Sequence, residues 1–137
     1  MIDIKALDVD SCWSDASEVL KDAIDMSNGR HTLETTYEGC KLGTMSLYGV
    51  FYGDAILSYF VTSQVIYPNK KILGIIFCGG DRVIKFIKEI EHFFKLEAIK
   101  ENCKGLEIIG RKGWDRIIKN TPNLEFKAKG IFYEMDA

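Results

Sequence analysis

Histidine, cysteine and proline are scarce in this sequence of 137 residues. Its two histidines, His31 and His92, lie far apart, and its four cysteines stand singly without a Cys-x-x-Cys pair. Zinc sites and disulfide frameworks require clustered ligands, so we expect neither a metal site nor a disulfide network. The only prolines are Pro68 and Pro122, and no linker or repeat interrupts the sequence, which predicts a single domain over residues 1–137.

Long apolar runs and an excess of positive charge are also missing. No run reaches the roughly 18 apolar residues that a transmembrane helix needs, and residues 1–5 lack the basic start and apolar stretch of a signal peptide. We therefore expect a cytoplasmic protein without a membrane partner. The net charge is −2. This balance disfavours a nucleic-acid partner held by neutralisation of phosphates.

The first part of the chain carries two helical patterns. Asp15–Glu18 resembles a capping box, and apolar residues then recur at helical spacing until Asn28-Gly29, which predicts one helix. Its expected buried stripe consists of Ala16, Val19, Leu20, Ala23 and Ile24. Thr32 is the expected N-cap of a second, short helix that ends near Gly43.

From residue 45 the pattern changes to one typical of strands. Aromatic and β-branched residues, broken by Gly53-Asp54, predict a hairpin of Met45–Tyr52 and Ala55–Ile66. A third strand, Ile72–Cys78, is almost wholly apolar, which indicates burial on both faces. These strands form an antiparallel meander in the predicted fold.

A long helix follows the third strand. Gly79-Gly80 end the strand, Asp81 is the expected N-cap of what should be the longest helix, and Gly105 closes that helix. The expected buried stripe is Val83, Phe86, Ile87, Ile90, Phe93 and Phe94, and the expected solvent-facing residues are Lys85, Lys88, Glu89 and Glu91. A strand at Leu106–Ile109 then pairs in parallel with the third strand, because a helix connects the two.

The chain ends with a helix over Arg111–Lys119 and a strand within Phe126–Met135. The predicted fold is therefore a mixed α/β sheet. Its order is two helices, a three-strand antiparallel meander, a long helix, a parallel strand, a helix and a terminal strand.

The most informative motif is Gly-Arg-Lys-Gly-Trp at Gly110–Trp114, between the parallel strand and the last helix. A closely similar Gly-Arg-x-Gly-Trp occurs late in small phage-encoded proteins with the GNAT (acyl-CoA N-acyltransferase) fold. This chain resembles those proteins, which include relatives of a small internal virion protein of short-tailed phages. Gly79-Gly80 and the order of elements extend the resemblance. It implies a GNAT fold, in which Trp114 locks the last helix onto the sheet and Gly113 lets that helix approach.

The resemblance also implies a place for coenzyme A. In GNAT enzymes the cofactor pyrophosphate lies on backbone amides at the start of the long helix, where unsatisfied N–H groups and the helix dipole attract an anion. Here that place is Cys78, Gly79, Gly80, Asp81 and Arg82. The glycines let a phosphate approach and the arginine adds charge. However, the fuller Gly-x-Gly loop of the family is absent, and Asp81 puts a negative charge there, so acetyl-CoA would meet a degenerate site.

A general acid must protonate the leaving thiolate of coenzyme A. The family pattern of Asn-x-x-Ala followed by Tyr places Arg111 at the Asn, Trp114 at the Ala and Ile118 at the Tyr, and isoleucine cannot donate a proton. Tyr133 on the expected last strand is the substitute candidate, with packing in the sheet as its structural alternative.

Three further residues have a chemical and a structural interpretation. Ser63 and Gln64 lie where the second hairpin strand approaches the third, and either contact a substrate or form the polar side of a half-exposed strand. Cys78 stands at a helix N-terminus, as nucleophilic thiols do. No histidine is near it in the sequence to act as base, and a small core residue is the alternative.

Two functions remain open from the sequence. In the first, the chain keeps the GNAT fold as a scaffold and binds protein, as a virion-associated component or a ligand of a host protein in an infected cell. In the second, it is an N-acetyltransferase that moves acetyl from acetyl-CoA to an amine of a host protein or small molecule. The missing acid favours the first. The discriminating feature is a gap between the strand that ends at Cys78 and the strand that begins at Leu106, where pantetheine would lie.

Overall fold

The computed structural model describes residues 1–109 and 112–137, with Lys112 described by its backbone alone. The elements in these ranges are β1 (Ile2–Ala6), α1 (Val9–Asp25), α2 (Leu33–Leu42), β2 (Met45–Tyr52), β3 (Ala55–Ile66), β4 (Lys71–Gly80), a 3-10 turn (Ile84–Phe86), α3 (Ile87–Lys100), β5 (Leu106–Ile108) and α4 (Lys112–Asn120). None of the helices in the described ranges is long and apolar enough to cross a membrane.

The strands form one mixed sheet in the order β1-β2-β3-β4-β5. Neighbouring strands are antiparallel except β4 and β5, which are parallel. The predicted hairpin has the predicted bounds, and the third strand and the parallel crossover strand are both present. The mixed α/β fold class is therefore confirmed.

A strand that the sequence reading missed precedes the helices. Ile2 and Ile4 alternate with Asp3 and Lys5, and β1 pairs antiparallel with β2, with Ile4 opposite Val50. The alternation is that of a half-buried edge strand, but it covers too few residues to be read with confidence as a strand from the sequence. The prediction that the chain opens with two helices was wrong.

Helix α1 begins earlier than the expected capping box. Asp8 is its N-cap, and the Asp8 carboxylate accepts the amide of Ser11 at 3.0 Å. Asp15 consequently lies inside the helix rather than at its start. Val19, which was assigned to the buried stripe, is 38% exposed.

Helix α2 follows the sequence prediction. Thr32 caps it through a reciprocal pair in which the Thr35 amide donates to the Thr32 hydroxyl at 3.0 Å and the Thr32 amide donates to the Thr35 hydroxyl at 2.9 Å. Gly43 ends it in the left-handed conformation, with φ of 85°. Both ends of this helix are therefore fixed by local side-chain and backbone chemistry.

The core lies on both faces of the sheet. On one face, α1 packs its fully buried stripe against strands β2, β3 and β4, through Ala16, Leu20, Ile24, Leu47, Tyr59, Val61 and Phe77. On the other face, Ile90 and Phe94 of α3 pack against Tyr48, Val50, Phe60 and Ile75. Truncating a fully buried phenylalanine such as Phe94 typically costs ~3–5 kcal/mol, so each face contributes much of the stability of a domain this small.

The start of α3 differs from the prediction. Strand β4 runs to Gly80, a 3-10 turn precedes α3, and Phe86 occupies the N-cap position without a side-chain hydrogen bond. Asp81 is therefore not the N-cap. The helix has 14 residues against 17 in α1, so it is not the longest, and it ends at Lys100 rather than at Gly105.

Glu91 was expected to face water and is instead only 7% exposed. Its carboxylate accepts the amide of Glu125 at 3.0 Å and the amide of Phe126 at 3.1 Å. Burial of a charged group is tolerated where backbone amides satisfy it. Glu91 thus fastens the C-terminal segment to α3.

The expected strand within Phe126–Met135 does not form in the described residues. The segment is mostly exposed and is held at its far end by Arg30, whose guanidinium pairs with Glu134 and lies 5.1 Å from the ring centroid of Phe132. A strand needs a partner edge, and β5 offers only three residues. High β-propensity was therefore not sufficient here.

Candidate functional site

Strands β4 and β5 pair briefly and then part. Leu73, Gly74 and Ile75 face Leu106, Glu107 and Ile108, respectively, and β5 ends there while β4 continues to Gly80. In the described part of the chain, residues 76–80 of β4 therefore have no partner in β5. Crevices outside the carboxyl ends of strands are common ligand sites in α/β sheets. This part of β4, which has no β5 partner among the described residues, is where the sequence analysis expected a gap.

A β-bulge lies directly after the last β4–β5 pair. The β4 residue opposite β3 changes from Phe77 to Ile75 between Val61 and Thr62, so Ile76 is the extra residue. Ile76 and Phe77 consequently both pack toward α1, whereas Cys78 packs toward α3. Bulges bend a strand and redirect its side chains, and they are frequent beside active sites.

The two glycines at the end of β4 are required by packing. A Cβ at Gly79 would lie 2.5 Å from the carbonyl oxygen of Val19 on α1, and a Cβ at Gly80 would lie 2.4 Å from the carbonyl oxygen of Leu57 on β3. Gly80 also has φ of 122°, which side chains disfavour. The sequence analysis explained these glycines by the approach of a phosphate. The approach of α1 and β3 accounts for both.

The turn after β4 contains the backbone amides that are still available to bind an anion. The Asp81 amide donates to the Leu57 carbonyl at 2.8 Å and extends the sheet. Arg82 is left-handed, with φ of 60°, and Val83 is right-handed. Such alternation forms a concave nest of N–H groups, and within the described residues the amides of Arg82 and Val83 have no protein acceptor. Of the predicted set Cys78–Arg82, the first three residues therefore lie in β4 and Arg82 lies in the turn.

A buried hydroxyl lies next to this turn. Ser58 on β3 is 1% exposed, and its Oγ has no hydrogen-bond partner among the described residues. It is opposite Gly80 in the sheet. An unpaired buried hydroxyl costs roughly 1–3 kcal/mol. Ser58 Oγ is therefore an unsatisfied polar atom on β3, buried beside the end of β4.

Helix α4 offers no proton donor at the expected position. Ile118 is half-buried on this helix. Trp114 packs against the cluster that contains Ile75 and Phe94, which confirms that it holds α4 on the sheet. Gly113 faces open space, so the prediction that it permits a close approach was wrong. Gly110 and Arg111, and with them part of the Gly-Arg-Lys-Gly-Trp motif, lie outside the described residues.

Tyr133 lies on the C-terminal segment and is 84% exposed. Both of its neighbours contact Arg30, so it passes the loop between α1 and α2 rather than packing in the sheet. The next residue in that loop, His31, packs edge-on against Phe77 of β4, with ring centroids 5.3 Å apart. Burial, followed by the charge of Arg30, lowers the pKa of His31. The sequence reading missed this imidazole, because nothing in its sequence neighbours indicates contact with β4.

Ser63 and Gln64 lie at the other end of the sheet. They line a cavity of about 280 Å³ together with Gly43, Thr44, Ser46, Thr62, Leu73 and Glu101. Their partners on β4 are Gly74 and Leu73, and Gly80 is six positions beyond Gly74 along the strand, a distance of about 20 Å. The fold therefore separates these two candidates from the turn at Arg82.

Comparison with known proteins supports the fold. No family model and no curated protein sequence matches the chain. Among solved structures, it is similar to a ribosomal-protein-alanine N-acetyltransferase from Brucella melitensis biovar Abortus 2308, with 10% identity, a TM-score of 0.70 and coverage of 100% of this chain and 99% of that one. A transcriptional regulator from Bacillus halodurans C-125 has 13% identity, a TM-score of 0.70 and full coverage of both chains. A predicted acetyltransferase with acetyl-CoA from Clostridium acetobutylicum has 11% identity, a TM-score of 0.66 and coverage of 99% and 96%. The chain thus has a GNAT-like fold, as its resemblance implied.

Proposed function

We propose that this chain is a GNAT-fold protein with a degenerate acyl-CoA site, and that it acts by binding another protein rather than by transferring an acyl group. The observation that carries the proposal is the use made of the glycine pair at the end of β4. Helix α1 packs closely against Gly79, and strand β3 packs closely against Gly80. The amide of Asp81 donates to the carbonyl of Leu57. The backbone that a pyrophosphate would need to approach closely is therefore already in contact with α1 and β3, and one of its amides is already hydrogen-bonded.

The two candidate positions for a general acid support the same conclusion. A general acid must come within hydrogen-bond reach, ~3 Å, of the leaving group. Ile118 on α4 has no proton to give, and the Tyr133 side chain is 84% exposed on a segment without regular structure. Tyr133 is therefore not held in the fixed geometry that proton transfer requires.

The partner we propose is a protein of a phage particle or of the infected host cell. The Gly-Arg-Lys-Gly-Trp motif at Gly110–Trp114 supports this choice through its resemblance to small virion proteins. The C-terminal segment adds exposed apolar side chains, among them Ile131, Phe132 and Met135, of the kind that protein interfaces bury. One structural neighbour, from Bacillus halodurans, is a transcriptional regulator, and a shared fold does not by itself fix a function.

A second candidate function is N-acetyl transfer to an amine, and one observation favours it. The edge of β4 over residues 76–80 has no β5 partner in the described chain, and the amides of Arg82 and Val83 stand at its end. Acetyl-CoA, which the Clostridium acetobutylicum neighbour carries, would supply the activated acetyl group. In this alternative Arg82 and Val83 hold the pyrophosphate, the amine attacks the acetyl carbonyl as the C–S bond breaks, and Tyr133 gives a proton to the leaving thiolate.

Titration calorimetry with acetyl-CoA separates the two functions. The proposal predicts no saturable heat and no rise in thermal midpoint at millimolar ligand. Micromolar affinity would contradict it, because a ligand at 100 times its Kd stabilises the folded state by about 2.7 kcal/mol. In that event Arg82→Glu should abolish binding. Lys88→Glu, an equal charge change at an exposed site on α3, is the matched control.

Photo-crosslinking tests the binding function directly. A photo-crosslinking amino acid at position 133 should capture one defined protein in cells that produce this chain, because the C-terminal segment is exposed. The same group at exposed position 88 on α3 serves as the control. Equal capture from both positions would indicate nonspecific contact and would count against the proposed surface.

A further inference from the structure

A second site lies at the end of the sheet away from the Arg82 turn. The cavity of about 280 Å³ forms where α2 leads into β2, where β3 ends and where α3 ends. Its lining is mainly polar, with Thr44, Ser46, Thr62, Ser63, Gln64 and Glu101 beside Gly43 and Leu73.

Two hydrogen-bond donors of this lining are already engaged. The Ser63 hydroxyl donates to the Thr44 carbonyl at 3.1 Å, and the Gln64 side-chain amide donates to the Glu101 carboxylate at 2.9 Å. The second carboxylate oxygen of Glu101 and the side-chain carbonyl of Gln64 have no donor within the described residues. The cavity therefore presents acceptors, and it suits a ligand that brings donors.

A chain of hydroxyl groups leads from Thr62 in the cavity wall to Glu97. Thr62 is 1% exposed, and its hydroxyl bonds to the hydroxyl of Tyr48, which in turn donates to Glu97 at 3.3 Å. Burial raises the pKa of Tyr48, and the charges of Glu97 and Glu101 raise it further. Glu97 and Glu101 thus make this region negative, although Gln64 and Thr44 on the cavity wall are exposed.

Two helix C-termini add to the negative electrostatic potential of the cavity. Gly43 is the C-cap of α2 and Glu101 is the C-cap of α3, and both residues line the cavity. Helix C-termini carry partial negative charge that favours cations. Lys100 lies 3.7 Å from Glu97 but is 77% exposed, so solvent screens most of its effect.

We propose that this cavity binds a small organic cation with a primary ammonium group. Three N–H donors of an ammonium match the Glu101 carboxylate, the Gln64 carbonyl and the hydroxyls of the wall. A hard metal ion such as Ca²⁺ prefers roughly six to eight oxygen ligands, and no group of three or more metal-ligating side chains occurs in the described ranges. The site is about 20 Å from the Arg82 turn, so it is separate from any acyl-CoA chemistry.

Calorimetry with spermidine at physiological ionic strength tests the proposal. The expected result is saturable binding of spermidine. No binding is expected of 1,4-butanediol, a flexible carbon chain with polar ends that carries no charge. Glu101→Gln keeps the shape of the site and should weaken spermidine binding by about tenfold, as expected for loss of a charge-assisted hydrogen bond. Glu125→Gln makes the same charge change at an exposed residue paired with Lys95, and binding should stay within about twofold.

Three results would overturn the proposal. The first is no binding of spermidine at ten millimolar by the folded protein. The second is equal weakening by Glu101→Gln and Glu125→Gln, which would mean that spermidine binds the acidic surface at large. The third is a Glu101-dependent response to magnesium chloride of the same size, which would make the site a metal site. Amide shifts in an NMR titration should cluster at Thr44, Ser46 and Gln64 if the cavity is the site. None of these outcomes depends on whether acetyl-CoA binds.

Discussion

The carbonyl oxygen of Val19 on α1 lies so close to Gly79 on β4 that a Cβ at position 79 would stand 2.5 Å from it. This contact sets the distance between the first helix and the sheet. It also explains a glycine that the sequence alone assigned to phosphate binding. The same residue type therefore has two physical explanations, and only the packing around it separates them.

Substitution of this glycine should destabilise the protein. Gly79→Ala forces a methyl group against backbone of α1, and overpacking of this kind costs about 1–3 kcal/mol. Gly113→Ala is the control, because a Cβ there meets nothing within 4 Å, and alanine in a helix should be neutral or stabilising by up to about 1 kcal/mol. Urea unfolding measures both. Equal stability of Gly79→Ala and the parent would show that α1 is not seated on this residue.

The buried carboxylate of Glu91 should hold the C-terminal segment. Glu91→Ala removes the acceptor of the Glu125 and Phe126 amides, and hydrogen bonds to a charged group contribute ~1.5–3 kcal/mol. Hydrogen exchange at those two amides should accelerate strongly. Glu89→Ala, an exposed change on the same helix, should leave them protected. Unchanged exchange in Glu91→Ala would mean that other contacts fix the segment.

Acidification should weaken the fold through His31. Burial lowers the pKa of this imidazole from the 6.5 of a free histidine, so the unfolded chain binds more protons than the folded one just below that pH. Stability therefore rises with pH in this window and falls as pH drops through 6.5 toward the folded pKa. His31→Gln should remove part of this slope in unfolding measured from pH 7.5 down to about 5. His92→Gln, on an exposed face of α3, should retain it.

Features set by neighbouring residues were predictable from the sequence. The turn at Gly53-Asp54 lies between its own two strands, and Thr32 and Gly43 fix α2 from its two ends. In each case the residues that fix the turn or helix end lie within a few positions of it in the sequence. The sequence pattern therefore predicts these features without knowledge of the fold. The GNAT-like order of elements was recognisable for the same reason.

Features set by distant residues were not predictable. Asp81 has the chemistry of an N-cap, but β3 draws its amide into the sheet through Leu57. Glu91 has the chemistry of a surface residue, but its partners are 34 and 35 positions away. Gln64 was noted as polar, but its pairing with Glu101 depends on where α3 ends. Tertiary contacts overrode local propensity at each of these sites.

The most direct test of a degenerate acyl-CoA site is the NMR spectrum of the ¹⁵N-labelled protein during titration with acetyl-CoA. The amides of Arg82 and Val83 are the reporters, because they are the unengaged N–H groups of the turn after β4 in the described chain. Our account predicts that neither resonance moves at millimolar acetyl-CoA. Saturable movement of both, lost in Arg82→Glu and kept in Lys88→Glu, would contradict it and would establish a working cofactor site.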